Sequence, residues 1–170
     1  MVSTSRTTSS TEDPIPSSST ISQTHSFLKY IGITSNLPES YLKHDVYSDL
    51  IRGLLQVNHI ERGQVTCTFT VKPQFCNIYG SLHGGAIAAI AELVMEACVK
   101  SVVEKDLFLG EFATSYISAA GVNAELEVGG VIVRQGRNVT VTSVEFRIKE
   151  TKKLVYTARA TFYNVPVANL

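Results

Sequence analysis

The sequence has no tryptophan, two methionines, three cysteines and no excess of either charge, with 15 basic residues against 15 acidic ones. Each shortage excludes something. A formal net charge of zero offers no basic surface to displace counterions from phosphates, so DNA and RNA are not expected as partners. Cys67, Cys76 and Cys98 are odd in number and far apart, which fits a reduced compartment and argues against a disulfide scaffold or a structural zinc site. His25, His44, His59 and His83 are too widely separated to share a metal by local spacing. A glycine-rich phosphate loop and a nucleophile elbow are missing as well. The longest apolar run, residues 86–103, has the length of a membrane span but contains Glu92, Glu96 and Lys100. At about 2.5 to 3.5 kcal/mol per central charge, three charges outweigh the aliphatic gain, and no membrane span is expected.

What is present suits one domain behind a tail. Residues 1–26 hold 15 Ser or Thr plus Pro14 and Pro16, a composition expected to be disordered, with residues 27–170 as the folded domain. A hydroxyl-rich start also resembles a transit peptide, but Arg6 is its only Lys or Arg, and Glu12 and Asp13 are acidic. Between residues 26 and 56, Tyr47, Leu50, Ile51, Leu54 and Leu55 fall at helical intervals and predict one or two short helices. Period two follows: Val65, Cys67, Phe69 and Val71 alternate with threonines, giving a half-buried strand that Pro73 stops. A helix is expected to open after Gly84 and Gly85 and to run to about Glu104, apolar on most of its circumference.

Four more strands are expected near residues 112–118, 124–134, 138–149 and 154–163, with short turns at 135–137 and 150–152. In the third of these the apolar phase shifts from Val139 and Val141 to Val144, Phe146 and Ile148, which predicts a bulge at Thr142-Ser143. One long helix between a first hairpin and an antiparallel meander buries itself best when the sheet curls around it. The expected class is α+β, with an antiparallel sheet around one long central helix.

Chemistry is concentrated in the run 77–94. His83-Gly84-Gly85 stands where a loop meets a helix start, and glycines there let a substrate oxygen approach the backbone. The free amides of a first helical turn, with the positive end of the helix dipole behind them, can polarise a carbonyl. An ordinary glycine turn is the competing reading. Glu92 lies just over two helical turns later among aliphatic residues, so it is at an interface, paired, or set up as a base or nucleophile. Alternatively, Glu92, Glu96 and Lys100 form a wetted stripe with a Glu96 to Lys100 pair. Arg134, Arg137, Lys149, Lys152 and Lys153 gather at the late hairpins, where they either hold phosphates of a nucleotide-bearing substrate or keep edges soluble.

The run NIYGSLHGGAIAAIAE, with Tyr116-Ile117-Ser118-Ala119-Ala120-Gly121 and Arg134-Gln135-Gly136-Arg137-Asn138, resembles the hotdog-fold acyl-CoA thioesterases of the small single-domain kind. These include the phenylacetate-pathway, mammalian mitochondria-associated and plant naphthoyl-CoA thioesterases, and the resemblance extends over about residues 47–162. It implies a hotdog fold in which Glu92 is the catalytic base or nucleophile and the Gly84 amide polarises the thioester carbonyl. Asn77 and His83 would orient substrate, water or the capping loop. Tyr116, Ser118, Ala119, Ala120 and Gly121 would line the pantetheine channel, and Arg134, Gly136, Arg137 and Asn138 would grip the nucleotide end. The resemblance further implies a homodimer or homotetramer, with Glu92 facing Gly84 of the partner subunit. Some family members carry Asp at the Glu92 position, Ser or Thr near Leu109-Gly110, and Pro in place of Ala119.

The resulting expectation is hydrolysis of an acyl- or aroyl-CoA to free acid and coenzyme A without metal or organic cofactor. A hotdog dehydratase and a non-catalytic acyl-CoA binding domain are the rivals; the Asp and His pair of the dehydratase loop is not seen, and a binder needs no carboxylate at Glu92. Ala168-Asn169-Leu170 resembles a degenerate peroxisomal address, so the peroxisome is expected, with the cytosol as alternative.

Overall fold

The structure, a computed structural model, describes residues 18–33, 35, 36 and 38–164. The chain divides into two units, residues 1–42 and 43–170. In the first, helix α1 spans Ser18–Tyr30 and a short 3-10 turn spans Glu39–Leu42. Helix α1 crosses the boundary expected at residues 26 and 27, so residues 18–26 are helical where composition led to an expectation of disorder. Within it, Ser26 Oγ donates to the Ser22 carbonyl at 3.0 Å, sharing the acceptor one turn back as helical serines do. Residues 1–17 of the expected tail, and the address at 168–170, lie outside the described residues.

The second unit opens with helix α2 (Val46–Leu54), where the helical spacing of Leu50, Ile51 and Leu54 turns Ile51 into the core. Strands β1 (Leu55–Glu61) and β2 (Gln64–Thr70) form a hairpin. A 3-10 turn at Pro73–Phe75 leads to helix α3 (Gly84–Lys100), and β3 (Leu107–Tyr116), β4 (Glu125–Gln135), β5 (Val139–Ile148) and β6 (Leu154–Asn164) complete the unit. The six strands make one sheet in the order β1-β2-β4-β5-β6-β3, and every pairing is antiparallel. Among the described residues no helix is long and apolar enough to cross a membrane.

The sheet and α3 bury each other. Val65, Cys67 and Phe69 of β2, Leu126 and Val128 of β4, and Val144 and Phe146 of β5 are buried, as the alternation requires. On α3, Ala86, Ile87, Ile90, Ala91, Val94, Met95, Cys98 and Val99 are buried, while Glu92, Leu93, Glu96, Ala97 and Lys100 form an exposed stripe. The helix is therefore covered on a broad face and open along one edge. Gly130 permits the close approach, because a Cβ there would stand 2.7 Å from Val94 Cγ1 and 2.8 Å from Cys98 Sγ. The far end of α3 is tied to the β1–β2 turn by Ser101 Oγ, which donates to the Cys98 carbonyl at 2.6 Å and accepts from the Gly63 amide at 2.8 Å.

The bulge expected at Thr142-Ser143 is absent. The β5 register runs without interruption through these residues against both β4 and β6, and Thr140, Thr142, Val144 and Phe146 are buried in strict alternation. Thr142 can occupy a valine-shaped site because its hydroxyl donates to the Ala160 carbonyl at 3.4 Å. The register shifts lie instead at Val57/His59, Leu109/Glu111, Ile132/Arg134 and Phe146/Arg147.

Candidate active site

The loop before α3 is held by Asn77. Its side-chain oxygen accepts from the Tyr79 amide at 2.9 Å, its amide nitrogen donates to Ser81 Oγ at 3.0 Å, and its backbone amide donates to the Ser81 carbonyl at 2.8 Å. Gly80 closes this turn with φ +73°, a conformation that disfavours any side chain, and its amide donates to the Asn77 carbonyl at 3.0 Å. Asn77 thus braces the loop rather than projecting into open space.

His83 is the N-cap of α3. Its amide donates to the Phe75 carbonyl at 2.7 Å, and its Nδ1 accepts from the Gly85 amide at 2.9 Å. The His83 carbonyl accepts from Ile87 at 3.1 Å. Of the first-turn donors this leaves the Gly84 and Ala86 amides without an intrahelical acceptor, at the positive end of a 17-residue helix. Gly84 is partly open, and a Cβ there would stand 3.1 Å from the Tyr116 hydroxyl, so an aromatic ring lies against the glycine.

A cleft of about 400 Å³ opens at this point, lined by Asn77, Ser81, Gly84, Tyr116, Ser118 and Ala119 among others. Its far wall is fixed by hydrogen bonds from residues 117–120. The Ile117 and Ser118 amides both donate to the Val155 carbonyl at 3.0 Å, and the buried Ala120 accepts from the Leu82 amide at 2.9 Å. The Ala120 amide donates to the Tyr156 hydroxyl at 2.8 Å. Burial pushes the Tyr156 phenol up, partly offset by that amide, so the hydroxyl stays protonated. Gly121 is exposed and bridges to Ser81. The fold therefore brings together Asn77, Gly84, Tyr116, Ser118 and Ala119, with His83, Ala120 and Gly121 supporting the walls.

Glu92 stands elsewhere. It lies on the exposed stripe of α3, in a second groove of about 350 Å³ formed with Tyr47, Ile51 and Arg52 of α2 and with Leu93 and Glu96. Among the described residues Glu92 has no hydrogen-bond or ion-pair partner, so it is not a carboxylate engulfed by aliphatic side chains. The Glu96 to Lys100 pair is not found either, since Lys100 meets Asp106 at 3.7 Å. Arg134, Gly136, Arg137 and Asn138 are exposed near the opposite end of α3, and Gly136 and Arg137 line a cavity with Val102, Glu104 and Lys105. At 1.5 Å per residue the 17 residues of α3 separate that end from Gly84 by about 26 Å. Within one chain, then, the carbonyl-polarising amide, the carboxylate and the arginines occupy three places.

The sequence reading missed Tyr47 as a site residue. Its hydroxyl lies 3.8 Å from a Cβ position on Gly85 and it lines the Glu92 groove, with burial raising its pKa. The helical spacing marked Tyr47 as apolar, and nothing local signals its reach to the start of α3. Tyr156 was equally hidden, because its bond to Ala120 spans 36 residues.

A six-stranded antiparallel sheet packed on one long helix, with open amides at the start of that helix, defines the hotdog class. Residues 79–155 match the Thioesterase superfamily, a segment that holds His83-Gly84-Gly85, Glu92 and both later motifs. A Caenorhabditis elegans relative named as an esterase is 28% identical over 63% of this chain and 64% of its own length, so the chain spans less than two thirds of that protein. Human acyl-coenzyme A thioesterase 13 is 26% identical over 58% of this chain and 71% of its own. A Streptococcus mutans protein solved bound to acetyl CoA shares the fold with a TM-score of 0.62, at 23% identity over 65% of this chain and 88% of the other. These likenesses agree with the resemblance read from the sequence.

Proposed function

We propose that the protein is an acyl-CoA thioesterase that hydrolyses an acyl- or aroyl-CoA to free acid and coenzyme A, working as a homodimer or homotetramer. The observation that carries this reading is the Gly84 amide, open to a cleft at the start of α3 inside the segment that matches the Thioesterase superfamily. A thioester carbonyl placed there would have its developing oxyanion met by an amide and by the helix dipole, without reorganisation at the moment of reaction. Glu92 of the partner subunit takes a proton from water as the water oxygen attacks the thioester carbon. Collapse of the tetrahedral adduct breaks the carbon–sulfur bond, and the departing thiolate receives the proton held by Glu92. One water is consumed, and one acid and one thiol are formed. In the nucleophilic variant Glu92 itself attacks the carbon, and water then opens the resulting anhydride.

Thiol release over a panel of aliphatic and aromatic acyl-CoAs tests the activity, and two variants test the mechanism. Glu92→Gln keeps the volume and removes the charge, so turnover falls by about 10² to 10⁴ while KM changes little. Its melting temperature stays near that of the unmodified protein, because the side chain is exposed and unpaired. Glu96→Gln, one turn further along the same stripe, keeps near-native turnover. Equal, near-native rates for the two variants overturn the mechanism and leave Glu92 as a solvated edge of the helix.

A further inference from the structure

The hairpin between β5 and β6 carries three lysines, and the structure separates them by their partners. Lys149 Nζ lies 2.6 Å from Glu125 Oε1, and Lys152 Nζ lies 2.9 Å from Glu127 Oε2. Both charges are matched on the outer side of β4. Lys153 has no carboxylate partner among the described residues; its ammonium donates to Ser118 Oγ at 3.0 Å. Ser118 lines the same cleft as Gly84.

Both ends of that contact are anchored. The Ser118 amide is held by the Val155 carbonyl at 3.0 Å, and the Lys153 carbonyl accepts from the Ile148 amide at 2.9 Å. An ammonium that donates to a neutral hydroxyl keeps its full charge and two further N–H donors. A cation is therefore stationed beside Ser118, while the same chain's Arg134 and Arg137 stand near the other end of α3.

We propose that Lys153 binds the phosphate groups of the CoA moiety, with Ser118 setting its position. This rests on the thioesterase reading, in which the thioester carbonyl lies at Gly84, in the cleft that Tyr116 and Ser118 also line. The phosphates of CoA are the part of such a substrate that needs a cation there, and the charge-assisted contact acts on binding rather than on the chemical step.

The test compares CoA with pantetheine, which carries the same arm without phosphates. Lys153→Gln retains a donor to Ser118 and removes the charge. It is expected to weaken CoA binding by calorimetry, and to raise KM for acyl-CoA, by about five- to tenfold with kcat nearly unchanged. Pantetheine and its acyl thioester should bind both proteins alike. Lys152→Gln, which removes an equal charge from the same hairpin, should match the unmodified protein. Equal effects of Lys152→Gln and Lys153→Gln, or an equal loss on the pantetheine compounds, overturn the proposal. If no thioester is hydrolysed yet CoA binding depends on Lys153, the functional reading fails and the phosphate site stands.

Discussion

Cys98 occupies the contact between α3 and β4, beneath Gly130, and burial pushes its thiol up to about 11 from an ordinary 9.0. The unfolded chain would lose this proton near pH 9, whereas the folded protein keeps it until about pH 11. Protons bound by the unfolded state are then fewer than those bound by the folded one, so stability falls as pH rises through this window and is full below it. The loss is of order 3 kcal/mol across these two pH units, at about 1.4 kcal/mol per unit. Cys98→Ala should lower stability by about 1 to 2 kcal/mol at pH 8 through the cavity it leaves, yet show a shallower fall between pH 9 and 11. Urea denaturation of both proteins at several pH values checks this, and parallel curves would show that the thiol carries none of the dependence. The same scale explains what was legible at the site. The role of His83 as a cap is local, two residues from Gly85, and so is readable from HGG. The contact of Lys153 with Ser118 spans 35 residues and carries no mark in either neighbourhood.

At the scale of elements, α3 and the strands it covers follow from period and punctuation. Val65 to Val71 alternates because one face of β2 is buried, and the start of α3 is marked by its glycines. Strand β1 is not marked in this way: from Gln56 to Glu61 every residue is exposed, so no alternation distinguishes it. The apparent phase shift in β5 misled for the opposite reason, since Thr140 and Thr142 sit in the core while reading as polar. Gly130 of β4 plays a packing part that sequence alone does not separate from a bulge, whereas a Cβ on its neighbour Gly129 would meet open space. Gly130→Ala places a Cβ within 3 Å of Val94 and Cys98 and forces α3 or β4 to shift. Overpacking of this kind costs about 1 to 3 kcal/mol, which for a protein of this size lowers the melting temperature by about 3 to 10 °C. An unchanged melting temperature would mean that α3 moves freely on the sheet.

At the scale of the whole molecule, the parts of the proposed mechanism do not converge within one chain. Gly84 opens on one cleft, Glu92 on a groove of the exposed stripe, and Arg134 with Arg137 near the far end of a helix about 26 Å long. Composition and motif could identify each part, but no local pattern says which copy of the chain supplies it. Two copies related by a two-fold axis, with their α3 helices antiparallel, would carry the Glu92 of each toward the helix start of the other. This arrangement has a consequence for mixed dimers. Glu92→Gln and Gly84→Ala should each be nearly inactive alone, the second because its Cβ crowds Tyr116 and the amide it guards. Refolded together in equal amounts, half the dimers would be mixed, and each of these would hold one site with both native residues. Turnover should recover to about a quarter of the unmodified value. If Glu92 and Gly84 act within the same subunit, no mixed dimer contains an intact site and the mixture stays as inactive as its components. Light scattering on the same samples fixes the assembly, and an active monomer would overturn the shared site directly.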